Sequence, residues 1–179
     1  MCHRHIAIQE WRRVLAGAVV STFLAGCLSL GQAILIDVPF HEQPPNRCGA
    51  ASVGMVAQYL GVVLDWEALD REVYIPALAG TVPELMAEGA RKQGLLAQVE
   101  ECTEADLQKL LEEGVPPILL LAPAGDESKG HFAVATGLNL RTGALRVHSG
   151  RERNRWMSRK AWQSRWVQAG RCVVVVRRP

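Results

Sequence analysis

Cys48, His131 and Gln43 are the residues whose types and spacing could do chemistry together. Cys48 lies in Gln43-Pro44-Pro45-Asn46-Arg47-Cys48-Gly49-Ala50-Ala51-Ser52, just ahead of an apolar stretch ending at Leu60-Gly61. His131 opens a strand-like run much later, Gly130-His131-Phe132-Ala133-Val134-Ala135-Thr136-Gly137. A thiol at the N-terminal end of a helix feels the positive end of the helix dipole, which lowers its pKa and favours thiolate. A histidine on a distant strand can hold that thiolate as an ion pair and later protonate a leaving group. Gln43 can supply a side-chain N–H to a developing oxyanion.

The elements that must position these groups can be read from periodicity and punctuation. Residues 36–40 read as an entry strand or arm, and residues 50–59 as a helix of small residues that can sit deep against a sheet. Asp65 can cap a short helix running to Tyr74, and Thr81 or Pro83 starts another that stops at Gly94. Thr103, with Asp106 three residues on, predicts a cap ahead of Leu107, Leu110 and Leu111, with Gly114 as the stop. The second half changes period. Residues 117–121 read as a buried strand, and residues 131–138 and 144–148 as a hairpin around 139–143. Ser158 can cap a helix carrying Trp162 and Trp166, and residues 171–176 read as a last strand. Helices first and an antiparallel sheet second predict an α+β fold, with the Cys48 helix brought against the His131 strand.

These segments resemble a known family. Val38-Pro39-Phe40, Gln43, Cys48-Gly49-Ala50-Ala51 and Gly130-His131-Phe132-Ala133-Val134, with Gly137 closing the strand, are similar to the bacteriocin-processing peptidases. Those papain-like cysteine peptidases cleave double-glycine leader peptides and are often fused to ABC exporters. The resemblance spans residues 36–176. It implies a papain-like fold with an N-terminal nucleophile helix and further helices packed on an antiparallel sheet. It also implies a peptide or protein substrate, with Cys48 and His131 catalytic and Gln43 in the oxyanion hole.

One position departs from the pattern. The family usually has an aspartate, often followed by proline, after the histidine strand. Here that stretch is Leu145-Arg146-Val147-His148-Ser149-Gly150, with Ser149 where the aspartate falls. A serine can accept a hydrogen bond from an imidazole N–H but carries no charge to stabilise imidazolium. His148 is the other candidate orienter, although on an alternating strand it points opposite to Ser149.

The N-terminus carries a separate signal. Arg4, Arg12 and Arg13 precede the apolar run Val14-Leu15-Ala16-Gly17-Ala18-Val19-Val20-Ser21-Thr22-Phe23, followed by Leu24-Ala25-Gly26-Cys27. A basic region, a short apolar region and small residues at the cut describe a secretory signal peptide. Leu-Ala-Gly-Cys resembles the bacterial lipobox, which implies cleavage before Cys27 and lipidation of its thiol. The apolar run of about a dozen residues is too short to span a bilayer comfortably. The organisation expected is a signal at 1–26, a lipidated tether at 27–35 and a peptidase domain at 36–179. Leu28 after the lipidated cysteine, in place of aspartate, suggests the outer membrane of a cell envelope, facing the periplasm.

Composition narrows the alternatives. Cleavage after residue 26 of the 179 leaves 153, the size of one domain. Arg4, Arg12, Arg13 and Glu10 leave with the signal, so Lys+Arg falls from 20 to 17 and Asp+Glu from 18 to 17. Residues 65–113 hold twelve acids against four bases, and residues 141–178 eleven bases against one acid. The basic stretch reads first as a face balancing the acidic helices, and second as a surface for acidic peptides or anionic lipid. Aromatic residues are sparse and no nucleic-acid motif is present, which excludes that role. No phosphate loop, Cys-x-x-Cys ligand pair or Gly-x-Ser-x-Gly elbow occurs, so no cofactor or metal is implied. Cys102 and Cys172 either pair or stay as separate thiols. The functional readings are three. The first is a lipid-anchored cysteine peptidase. The second is an inert papain-like domain that binds peptide, and the third a cell-wall amidase, which His148 would suit but whose Asp-Cys-Ser-Gly signature is missing.

Overall fold

The computed structural model describes residues 33–125 and 129–179. Val173, Val174, Val175 and Val176 are all buried. Successive strand residues point to opposite faces, so four in a row can be buried only where both faces of a sheet are covered. They lie in β7 (Cys172–Arg177), within a seven-stranded antiparallel sheet. The other strands are β1 (Ala33–Leu35), β2 (Leu96–Glu101), β3 (Ile118–Leu121), β4 (His131–Asn139), β5 (Leu145–Ser149) and β6 (Glu152–Met157). Their order is β2-β7-β3-β4-β5-β6, and β1 pairs with the far end of β4, Leu35 opposite Gly137.

Among the described residues there are five α-helices: α1 (Cys48–Tyr59), α2 (Trp66–Val73), α3 (Pro83–Lys92), α4 (Glu104–Glu112) and α5 (Arg159–Gln168). Helices α1, α2 and α3 pack on one another, with α1 on β4 and β7 and α3 on β2 and β7. Helix α4 packs against β1 and β4, and α5 against β3. The architecture is the expected α+β, papain-like one.

The local signals act as expected where they are chemical. Asp65 accepts from the Ala68 N–H at 2.9 Å, and Pro83 takes the first position of α3. Thr103 and Asp106 form a reciprocal capping box. Gly94 and Gly114 end their helices at φ 84° and 72°. Ser158 caps α5, and Trp162 and Trp166 bury their rings against each other.

Three differences concern strands. Residues 36–40 are an extended arm outside the sheet, and the entry strand lies earlier, at Ala33–Leu35, within the stretch assigned to the tether. β2 and β6 are additional. Both are edge strands with hardly any fully buried residue, and Glu-Arg-Asn-Arg in β6 has no apolar alternation to mark it. The charge asymmetry resolves into pairing across elements: Arg159 with Glu104 at 3.0 Å, Arg177 with Glu113 at 3.4 Å and Arg171 with Glu101 at 3.6 Å.

His148 holds the arm to the sheet. Its ring is fully buried, accepts the Asn154 N–H at Nδ1 (3.1 Å) and donates from Nε2 to the Val38 carbonyl (2.8 Å). Because Nδ1 must be an acceptor here, the imidazole is neutral with its proton on Nε2. Burial holds its pKa below the ordinary value; the Val38 carbonyl opposes this, Arg153 and Arg146 add to it, and Asp37 opposes it. A histidine that is harder to protonate when folded contributes stability that is complete above its unfolded pKa and is lost as pH falls through and below it. The urea midpoint should therefore drop as pH falls below about 6.5. His148→Gln should start lower and show a flatter dependence over that range.

Candidate active site

Helix α1 begins at Cys48 without a side-chain cap, because its N-cap residue, Arg47, is turned elsewhere. The Arg47 guanidinium pairs with Asp70 at 3.1 Å and stacks 3.5 Å from the centre of the Tyr74 ring. The first amides of the helix are therefore left to other partners. The helix sits close to its neighbours through its small residues. A Cβ on Gly49 would lie 2.2 Å from Thr81 Cγ2, and one on Gly54 1.8 Å from the Trp66 ring.

His131 is the first residue of β4, opposite Leu121 on β3. Cys48, His131 and Gln43 line one cleft of ≈ 560 Å³. Its walls include Pro44, Pro45, Leu78, Thr81, Leu120 and Phe132. The turn from Gln43 to Cys48 is closed by the Arg47 N–H on the Pro44 carbonyl at 3.0 Å, with Asn46 in the left-handed region at φ 63°.

Ser149 stands where the sequence placed an orienter: its Oγ is 2.9 Å from His131 Nε2. His148, one residue earlier, faces Val38 and Asn154 on the other side of the strand and is no partner of His131. The alternation of the strand puts the two side chains on opposite faces. Gln43 is buried and its carboxamide is pinned. Oε1 accepts the Gly150 N–H at 2.8 Å, and Nε2 donates to the Ser52 hydroxyl at 3.4 Å. His41 lies outside the cleft, bonded to the Gln58 side chain and edge-on to Trp66 at 5.4 Å.

The thiol corrects one expectation. Burial pushes the Cys48 pKa up, while the backbone amides of Phe132, Gly49 and Cys48 pull it down. Burial is the larger effect, so the helix start alone does not make a thiolate. The sequence argument had counted the dipole and not the desolvation that comes with packing α1 so deeply.

Cys102 and Cys172 are free thiols. Cys102 donates to Glu100, and burial with the charges of Glu100 and Asp106 pushes it up to about 11. Cys27 lies outside the described residues. Gly150, Leu78, Thr81 and Lys129 also line the cleft and were not singled out from sequence. Their signals were weak: a glycine after a strand, and a turn that closes through pairing of Ile75 with Gly80.

A cysteine at a helix start, a histidine on an adjacent strand and a buried glutamine in one cleft are the arrangement of a cysteine peptidase on a papain-like scaffold. Residues 38–177 match the Peptidase C39 family, and the chain belongs to it. No curated protein matches the chain. Among solved structures it is similar to a double-glycine motif protease from an AMS/PCAT transporter in complex with its leader peptide. That likeness has 17% identity and a TM-score of 0.65, covering 81% of this chain and 94% of that one. It is also similar to a protein described as a C39-like peptidase from Bacillus anthracis, at 16% identity and a TM-score of 0.68, covering 83% and 98%. A third is the peptidase domain of Streptococcus ComA, a bifunctional ABC transporter, at 20% identity and a TM-score of 0.62, covering 79% and 97%. At these identities the likeness establishes the fold.

The burial of the thiol gives a direct test of the pair. In His131→Ala, iodoacetamide labelling of Cys48 should accelerate only as pH rises past the ordinary thiol value of 9.0. In the wild-type protein it should accelerate at lower pH, with Cys102 slower throughout. Coincident profiles would show that His131 does not act on the thiol.

Proposed function

We propose that this chain is a lipid-anchored cysteine peptidase that hydrolyses peptide bonds through Cys48 and His131. The observation that carries this reading is the convergence of Cys48, His131 and Gln43, from three separate parts of the chain, on one cleft. Its substrate is an extended peptide, with tandem glycines at the cut as the family resemblance suggests. Lipid on Cys27 would hold the domain at the outer membrane, facing the periplasm.

The chemistry follows from the hydrogen bonds. Ser149 Oγ accepts from Nε2–H, which leaves the exchange of protons with the thiol to Nδ1 of His131. Burial raises the thiol pKa, so the attack draws on His131 as a base. As the sulfur attacks the carbonyl carbon, Nδ1 takes the thiol proton and the carbonyl oxygen becomes an oxyanion facing Gln43 Nε2 and the start of α1. Collapse of this intermediate breaks the C–N bond, and the imidazolium protonates the departing amine. Water, deprotonated by the imidazole, then opens the thioester, releasing the acid and restoring the thiol.

The neutral orienter favours a second reading, a peptide-binding domain that does not cut. A quenched peptide carrying tandem glycines separates the two. Cleavage should occur with wild type and vanish with Cys48→Ala and His131→Ala. Ser149→Ala should reduce kcat only by about fivefold, since a neutral hydrogen bond is worth about 1 kcal/mol. Ser149→Asp should raise kcat by supplying the charge that stabilises imidazolium. Binding of the peptide without cleavage by any variant would support the second reading.

The anchor has its own test. Mass spectrometry of the N-terminal peptide from the native host should find Cys27 at the terminus bearing lipid. An intact Met1 or an unmodified Cys27 would overturn that part.

A further inference from the structure

Ser149 and Gly150 are consecutive, and each holds a different working group. Ser149 Oγ is 2.9 Å from His131 Nε2, and the Gly150 N–H donates to Gln43 Oε1 at 2.8 Å. A second bond joins the same two residues through their backbones, the Gln43 N–H donating to the Gly150 carbonyl at 3.0 Å. We infer that Gly150 is a positioning residue whose backbone N–H fixes which end of the Gln43 carboxamide faces the cleft, so that one turn sets both the base and the oxyanion donor. This rests on the proposed role of Gln43 in polarising the substrate carbonyl.

A carboxamide has an acceptor end and a donor end of nearly the same shape. If the group turned over, an oxygen would face the developing oxyanion and repel it. Position 150 decides the matter because a backbone N–H can only donate, so it can hold Oε1 and not Nε2. The nitrogen then points the other way. One of its hydrogens reaches Ser52 Oγ over a long 3.4 Å, and the other remains for an oxyanion. Gln43 is only 7% exposed, so little solvent competes with Gly150 for Oε1.

The backbone at 150 suits this task. Its φ is 61°, in the left-handed region, which glycine adopts without penalty and asparagine tolerates. A Cβ there would meet nothing within 4 Å, so conformation and the N–H are what matter at this position, and side-chain space is not. Proline would fail on both counts, since its φ is fixed near −65° and it has no N–H. Beyond the turn, Arg151 pairs with Glu42 at 2.6 Å, but both side chains are well exposed and such a pair contributes little.

The test replaces one atom group. Glycolic acid at position 150, introduced by semisynthesis in the full chain, exchanges the N–H for an ester oxygen and leaves everything else in place. Turnover of the tandem-glycine peptide should fall by about 10- to 100-fold in kcat, with KM within about twofold, as expected when an oxyanion donor is misdirected. The two side-chain N–H signals of Gln43 in the NMR spectrum should shift and move towards averaging. Gly150→Asn, which keeps both the donor and the left-handed backbone, should retain kcat within about threefold. An ester protein matching wild type in kcat and in the Gln43 signals overturns the inference. If the ester protein fails to fold, amide exchange at Gly150 decides: protection in wild type that is lost at least tenfold in Gln43→Ala supports the bond, and equal rates overturn it. Altered Gln43 signals in a protein that cleaves nothing would uphold the positioning and overturn the peptidase reading alone.

Discussion

The close seating of α1 on the sheet is the constraint on which the rest of the molecule depends. Gly49, Ala50, Ala51 and Gly54 present almost no side chain on one stretch of helix. At Gly49 and Gly54 there is no room for even a methyl group against Thr81 and Trp66. That proximity brings the Cys48 sulfur within reach of the Phe132 amide on β4, one residue from His131. It also fixes the cost, because the same burial that aligns the thiol makes its ionised form harder to reach. The two effects share one cause and cannot be tuned apart by changing the helix.

Several of the polar groups that meet these side chains are neutral. His131 is met by a hydroxyl, Gln43 by a backbone amide, and the thiol by amides of α1 and β4. Neutral donors and acceptors held in place stabilise charge when it develops and cost little when it is absent. A carboxylate at position 149 would instead favour a resting ion pair.

Sequence and structure agree where residue chemistry is local. The caps at Asp65, Thr103 and Ser158, the stops at Gly94 and Gly114 and the β4–β5 hairpin are all legible from a few residues each. Motif spacing brought Cys48, His131, Gln43 and Ser149 together, and strand alternation alone separated Ser149 from His148. What could not be read depends on partners distant in the chain. β2 and β6 are strands because β7 and β5 offer them hydrogen bonds, and their own polar sequences do not announce it. The direction of the Cys48 shift depends on how deeply α1 is buried. Gly150 has no signal beyond being a glycine after a strand, since its importance lies in a backbone N–H that every residue but proline possesses.

The pairing of β1 with β4 has a consequence for reach. β4 carries His131 at its first residue and receives Leu35 and Ala33 opposite its last three. A nine-residue strand is roughly 25–30 Å long. The chain therefore enters the sheet at one end of this strand and works at the other. Ala33 stands roughly a full strand's length from His131, and none of Ala33, Ile34 and Leu35 lines the cleft.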